Sequence, residues 1–243
     1  HEQNSIPGLT NKVLAKLADR ILLGFPEALK LDTNKITFLG NPVRETIGLL
    51  AAPEERFRER DGVLKVLVVG GSLGAHVLNT VVPQALAMIT EGLRPEVVHQ
   101  AGSKHLDVLK KNYEDAGVNG ELVAFIDDMA EQYAQCDVVL CRAGALTVSE
   151  LAAAGVAAAV WSDWGGFKME AYDATKYNAR ILMEAGVTVS LHSDNAQIAS
   201  RMNWEAGKLL RTGLTEEQAL TTVTINAAKV LAIDDRVGSL EVG

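Results

Sequence analysis

The amino-acid sequence predicts an α/β fold built on an open, mainly parallel sheet with helices on both faces. Two observations predict it. From residue 63 onward, short apolar runs alternate with stretches of helical spacing, the pattern of successive strand–helix–strand units. Connections of that kind are right-handed crossovers. The chain has 243 residues, 48% apolar and 22% charged. That is ordinary globular usage, and a chain of this size buries a core without covalent staples.

Residues 9–23 have helical apolar spacing, with Leu9, Val13, Leu14, Leu17, Ile21 and Leu22 on one face. Lys35–Leu39 reads as a short strand and Asn41-Pro42 as a turn. Residues 51–62, rich in Arg and Glu, read as a solvated connector at a domain boundary. Leu64–Val69 is a buried strand, followed by a glycine-rich turn and a helix to about Ile89. Glu96–Gln100 is a strand, Ser103 to about Gly117 a helix, and Leu122–Phe125 a strand. Asp127 or Asp128 caps a helix through Ala134. Asp137–Cys141 is a strand, and Ala145–Ala154 a helix closed by Gly155. Val156–Trp161 is a weak strand, because alanine is a poor strand former. A helix from about Met169 to Ala185 is closed by Gly186. Val187–Leu191 is a strand, and helices follow over 196–211, 215–223 and 226–232. Thr215 and Gln218 have the spacing of a capping box. The expected division is an opening segment and linker over 1–62, a ligand-binding half over 63–160, and further βα units over 161–243 packed into the same domain.

A net charge of −8 disfavours phosphate-backbone binding, so no nucleic-acid partner is expected. No apolar run reaches the ~18 residues of a membrane span. The two cysteines, Cys136 and Cys141, sit in the apolar run Cys136–Cys141, which points to a reducing, cytoplasmic setting rather than a disulfide framework. With no histidines near them, no metal site and no cofactor are expected. The chain opens at His1 with neither a start methionine nor a signal-peptide core, and it stops at the turn-like Gly238–Gly243. A cut piece of a longer chain is the expectation.

Two strand-to-helix loops carry candidate chemistry. Gly70-Gly71-Ser72-Leu73-Gly74-Ala75 permits a sharp turn and close backbone approach, and a helix N-terminus behind it suits a diphosphate, with Ser72 as a hydroxyl donor. A tight structural turn is the alternative. The segment Cys141–Glu150 is the second loop. Thr147 and Glu150 fit an N-cap and its capping-box partner; alternatively this helix start receives the rest of a nucleotide and Glu150 accepts ribose hydroxyls. Two such helix starts at the carboxyl ends of parallel strands would flank one crevice.

Five motifs, in order and spacing, resemble one family: His1-Glu2-Gln3-Asn4, Gly40-Asn41-Pro42-Val43-Arg44, Gly70–Ala75, Phe125-Ile126-Asp127-Asp128-Met129 and Arg142–Glu150. The resemblance is to the MurG family, bacterial UDP-N-acetylglucosamine transferases that make the lipid-linked peptidoglycan precursor, and it covers residues 1 to about 160. It implies a Rossmann-like domain of the kind that forms the carboxyl-terminal half of GT-B enzymes, with UDP or UDP-N-acetylglucosamine as the partner. It implies Asn4 near the sugar, Arg44 and Ser72 at the diphosphate, and backbone groups of Ile126 at uracil. Ala145, Leu146 and Thr147 would form the helix-terminus part of the site, and Glu150 would bind the ribose. An Arg beside a diphosphate is physically apt, since its planar fork is always charged. For Asn4 and Arg44, a cap and a surface charge are the alternatives.

The departures matter too. The family's acceptor-binding domain, with its glycine-rich loop and proposed catalytic histidine, has no counterpart before His1, so donor binding without turnover is the expectation. No catalytic residue is assigned. The family's glutamine pair at the donor sugar is replaced by Ala174 and Thr175, which weakens the case for sugar selection.

Residues from about 161 to 243 resemble a second family. Asn178–Asp194 and Ala219–Leu240 are similar to imidazolonepropionase-like amidohydrolases, and would correspond to the last βα units of a (β/α)8 barrel. That resemblance makes the chain a chimera whose sheet is completed by barrel units. It implies a metal-ligand role for the position of Asp194, yet His192 and Asp194 alone fall short of the usual three protein ligands. Three functional readings follow: a nucleotide-sugar-binding module, a ligand-free chimeric scaffold, and, last, a metal-dependent amidohydrolase. An exposed opening helix face carries the further expectation of a homodimer.

Overall fold

A computed structural model describes residues 1–4, 7–25, 28–29, 34–58, 60, 62–70, 76–141, 144–162, 177–184, 186–193, 196–231 and 233–239. The chain divides into two compact units, one of residues 44–147 and one of residues 1–43 with 148–243.

Strands β1 (Ile21–Leu23) and β2 (Ile36–Phe38) belong to the other unit; in the unit of residues 44–147, four parallel strands form a sheet: β3 (Lys65–Val69), β4 (Glu96–Gln100), β5 (Glu121–Val123) and β6 (Val138–Cys141). Their order across the sheet is β5-β4-β3-β6. Val66 to Val69 of β3 are all buried, as expected of a central parallel strand covered on both faces. Val66 and Val68 share a core cluster with Val82 and Leu86 of α4 (His76–Ala87) and with Leu109 and Tyr113 of α5 (Leu106–Ala116). Leu67, pointing the other way, is 1% exposed. Helix α6 (Met129–Gln135) packs against β3 and against the short α2 (Glu45–Gly48). The side chain of Asp128 caps α6 by accepting from Glu131 N at 2.9 Å. Gly117 ends α5 at φ +63, a conformation that favours glycine.

The stretch 51–62 is more than a solvated connector. It holds a one-turn helix, α3 (Pro53–Arg56), and its arginines seal the end of α6. The last carbonyls of a helix have no partner within it. Arg56 Nη1 donates to Tyr133 O at 2.8 Å, and Arg60 donates to Ala134 O and, at 2.9 Å, to Cys136 O. Phe57 lies under both guanidinium groups, 5.6 and 4.7 Å from them.

The other unit holds two more parallel pairs. β1 (Ile21–Leu23) pairs with β2 (Ile36–Phe38), and β7 (Ala158–Val160) pairs with β8 (Val189–Leu191). Among the described residues the parallel strands thus lie in one four-stranded and two two-stranded sheets, not in one continuous sheet. The opening helix, α1, spans only Leu9–Leu14; Ile21–Leu23, expected at its end, is strand β1. As a strand, Ile21 and Leu23 bury themselves against Ala15 and Ala28. A continued helix would have left the face of Leu9, Val13 and Leu17, which is exposed, longer still.

Helix α7 (Ala145–Ala153) is followed by Gly155 at φ +67, and α8 (Asn178–Glu184) by Gly186 at φ +86. The first part of the helix expected over 169–185 lies largely outside the described residues. The helix expected over 196–211 is broken into α9 (Ala196–Ala199), α10 (Met202–Leu209) and a 3-10 turn at Leu210–Thr212. Helix α11 (Glu216–Thr221) carries the expected capping box: Thr215 Oγ1 accepts from Gln218 N at 3.1 Å, and Gln218 Oε1 accepts from Thr215 N at 2.9 Å. Helix α12 (Ile225–Val230) packs on β8.

Candidate functional site

The strand order places a topological switch in the four-stranded sheet. β4 and β5 lie to one side of β3, and β6 lies to the other. Val69, the last residue of β3, stands opposite Cys141, the last of β6. In open parallel sheets, a crevice opens outside the carboxyl ends of the two strands at such a switch. The segments leaving those ends are the glycine-rich segment, from the buried Gly70, and the segment that leads into α7. Ser72 and Arg142 lie outside the described residues.

Helix α7 begins at Ala145, so Ala145, Leu146 and Thr147 form its first turn. N–H groups of a first turn lack acceptors within their own helix, and the helix dipole favours negative charge there. Thr147 is therefore the third helical residue, not the N-cap, and Glu150 is not its capping-box partner. Their spacing of three puts them on one face of α7. Leu146 is exposed, while Thr147 and Glu150 are half-buried.

Ile126 is buried in the link between β5 and α6, and Arg44 stands exposed at the N-cap position of α2. Cys141, at the carboxyl end of β6, has its thiol pushed up to about 11 by burial, so it is no nucleophile near neutral pH.

A second cluster lies in the unit of residues 1–43 and 148–243. Glu2 is 2% exposed. Its Oε1 accepts from Asn4 N at 2.8 Å and Asn4 Nδ2 at 3.1 Å. Its Oε2 accepts from Gly8 N at 3.3 Å and Asn11 Nδ2 at 3.0 Å. Burial pushes the Glu2 pKa up, but the donors from Asn4, Asn11 and Gly8 outweigh it and hold the carboxyl below its ordinary value. The Asn4 amide is thus turned toward Glu2, and this carboxylate organises both the Asn4 bend and the start of α1.

Asn41 joins three of the sequence motifs. Its Nδ2 donates to Gln3 O at 3.0 Å and to Ser149 Oγ at 3.3 Å. His1 Nε2 also meets Gly40 O at 3.3 Å. The opening motif, the Gly40–Arg44 motif and α7 therefore meet around one amide. Sequence reasoning took only a turn from Asn41 and nothing from Glu2. The available signal was that both lie inside motifs whose other members were singled out.

The described residues also form a groove of about 420 Å³ beside Lys65, Glu96, Glu121, Gln132 and Cys136. It lies at the amino ends of β3, β4 and β5, the edge opposite the ends that Val69 and Cys141 close. Among the described residues no cluster of three or more His, Cys, Asp and Glu is arranged to hold a metal. His192 stacks against Trp161 with ring centroids 4.8 Å apart, and Asp194 lies outside the described residues. Nor is any described helix long and apolar enough to cross a membrane.

The sequence profile of the glycosyltransferase family 28 C-terminal domain matches residues 65–200. A UDP-N-acetylglucosamine–N-acetylmuramyl-(pentapeptide) pyrophosphoryl-undecaprenol N-acetylglucosamine transferase of Nitrosospira multiformis is 56% identical over 191 residues, 79% of this chain and 52% of its own length. The transferase of the same name from Nitrosomonas eutropha is 47% identical over 240 residues, 99% of this chain and 64% of its own. The crystal structure of MurG from Acinetobacter baumannii superposes with a TM-score of 0.58 at 27% identity, covering 97% of this chain and 64% of that one. The chain spans about half the length of the curated relatives it matches first. Both the profile and the N. eutropha alignment run past residue 160, where the motifs alone had ended this resemblance.

Proposed function

Because the chain belongs to the glycosyltransferase family 28 C-terminal domain family, we propose that it is the nucleotide-sugar-binding half of a peptidoglycan glycosyltransferase and holds UDP or UDP-N-acetylglucosamine. The observation that carries this reading is the pairing of Val69 with Cys141, which starts the glycine-rich segment and the approach to α7 side by side at the carboxyl edge of the sheet. Helix starts at such an edge present N–H donors and positive dipole ends, the recurring solution for binding a diphosphate.

In this reading Ser72 and Arg44 serve the diphosphate, and backbone groups of Ile126 serve uracil. The first turn of α7 at Ala145, Leu146 and Thr147 receives the adjoining part of the nucleotide, and Glu150 accepts the ribose hydroxyls. Asn4 stands at the sugar, steadied by Glu2. The half-buried Glu150 supports the ribose role, since a carboxylate there accepts hydrogen bonds without full exposure to water. The sugar itself is held loosely, because Ala174 and Thr175 replace the family's glutamine pair. The amidohydrolase-like, chimeric reading of residues 161–243 has the sequence resemblance alone behind it, and no residue of the proposed site depends on it.

Titration calorimetry with UDP and with UDP-N-acetylglucosamine tests the proposal. UDP binds, Glu150→Ala abolishes binding with the circular dichroism spectrum unchanged, and the N-acetylglucosamine adds little affinity over UDP. Binding of neither ligand by the wild type at millimolar concentration would leave a ligand-free scaffold in its place.

A further inference from the structure

The interior of the four-stranded unit contains a polar chain that the donor-binding reading does not use. His99 on β4 is fully buried. Its Nδ1 meets Tyr113 Oη of α5 at 3.1 Å and its Nε2 meets Asn79 Oδ1 of α4 at 3.1 Å. Asn79 Nδ2 donates to Ala101 O, just past the carboxyl end of β4, at 3.1 Å. That donation fixes which way the amide faces, so His99 carries its proton on Nε2 and accepts from the Tyr113 hydroxyl. Every member of the chain is used once, and the His99 ring is held neutral, its pKa pushed down to about 4 by burial.

The position of Asn79 gives this chain its purpose. Asn79 is the fourth residue of α4, the helix that follows the glycine-rich segment. In a regular helix its carbonyl would accept from the N–H of the residue four places on. That residue is Pro83, buried inside α4, which has no N–H. The orphaned Asn79 carbonyl is instead met by Asn112 Nδ2 of α5 at 2.9 Å. The helix ladder is thus interrupted at the point where α5 and β4 take hold of the first turn from outside.

We propose that Asn79, with His99, Tyr113 and Asn112, is a positioning clamp that fixes the first turn of α4 at the carboxyl edge of the sheet and so orients that helix start toward a ligand's diphosphate. The functional half of this rests on the donor-binding reading above; the mechanical half does not. Pro83 removes one rung between the opening turn and the rest of the helix, and tertiary hydrogen bonds take its place. An all-apolar contact would fill the same space without direction, whereas this chain admits one orientation of α4.

Two measurements on the full chain, in Asn79→Ala and in the milder Tyr113→Phe, test it. Hydrogen exchange reads the mechanical half. The amides of residues 80–82 exchange about tenfold faster while those of Val66–Val69 in β3 stay as in the wild type; equal acceleration of both sets overturns the clamp. Binding of UDP and of uridine reads the functional half. UDP affinity falls about tenfold and uridine, which lacks the diphosphate, stays within about twofold. A parallel fall in both, or no fall in either, overturns the positioning role. Should the wild type bind neither nucleotide, the donor-binding reading fails and exchange alone decides the clamp.

Discussion

Arg60 and Asp137 meet at 2.5 Å between Nη1 and Oδ1, with side chains 25% and 22% exposed. The same Asp137 accepts from Lys65 N at 2.7 Å through its other oxygen. One ion pair therefore binds the 51–62 stretch to the start of β3 and the start of β6, while the guanidinium seals the end of α6. Pairs on open surfaces contribute little, but this one also satisfies backbone carbonyls that have no other helix partner.

Arg60→Ala is therefore expected to lower unfolding stability by about 2 kcal/mol, the scale for leaving partly buried polar groups unmet. Arg60→Lys recovers only part of this, since a single ammonium cannot reproduce the guanidinium fork. Urea unfolding of both variants checks it; a midpoint unchanged in Arg60→Ala rejects the seal.

Much of the fold was legible because its signals are local. The apolar runs at Lys65–Val69 and Glu96–Gln100, the Asp128 cap and the Thr215–Gln218 box each depend on a few neighbouring residues, and all stand where the sequence places them. What failed depended on distant partners. Leu17 and Ile21 keep helical spacing, yet Ile21 pairs with Ile36, and no local pattern announces that pairing. Thr147 and Glu150 have the spacing of a capping box, but α7 starts at Ala145, where its helical pattern places it, so both lie inside the helix. In the candidate site, motif residues could be picked out by chemistry. The joints that hold them, Glu2 and Asn41, could not, because their partners lie along or across the chain at distances that spacing does not encode.

The Asn41 joint makes a prediction through Gly24. A Cβ built on Gly24 would lie 2.1 Å from Asn41 Oδ1 and 2.6 Å from its Cγ. Gly24→Ala must therefore push Asn41 away from Gln3 and Ser149. It is expected to destabilise by about 2 kcal/mol. In an Asn41→Ala background, most of that cost disappears, and a double-mutant cycle by thermal unfolding reads the coupling. Additive effects would show that the two residues do not compete for one space.

Glu2 predicts a local change. Glu2→Gln keeps one acceptor oxygen but sets an NH2 group against donors, so two or more of its four hydrogen bonds are lost. The expected cost is about 1–3 kcal/mol. Because the folded carboxyl sits below its ordinary pKa, this contribution is complete above about pH 4.5 and is lost as pH falls through the lowered value. The difference between wild type and Glu2→Gln should therefore shrink under acid; a gap that is constant from pH 7 to pH 3 contradicts the assignment.

Cys136 and Cys141 both have thiols pushed up to about 11 by burial. Only the thiolate attacks a disulfide reagent. At pH 8 the buried Cys136 is expected to react with Ellman's reagent only as fast as the protein opens, and the half-buried Cys141 slowly because little thiolate is present; both react rapidly once the protein is unfolded in urea. Immediate labelling of either in the native state would show that the site is more open than its packing implies.

His99 sets the pH dependence between the carboxylate range and neutrality. Its folded pKa, about 4, lies below the unfolded value of 6.5, so the unfolded chain binds the extra proton over that interval. Stability then rises with pH between those limits. The contribution is complete above about 6.5, falls as pH drops toward 4, and is flat below. The span of the shift corresponds to roughly 3 kcal/mol at most. Denaturation midpoints measured from pH 7.5 down to pH 4.5 should fall accordingly, a window in which the contribution of Glu2 is nearly constant and adds little to the slope. His99→Gln, which still offers an amide donor to Asn79 and an acceptor to Tyr113, should start from a somewhat lower midpoint and lose this slope. A slope of the same size in that variant would move the proton to another group and leave His99 a spectator.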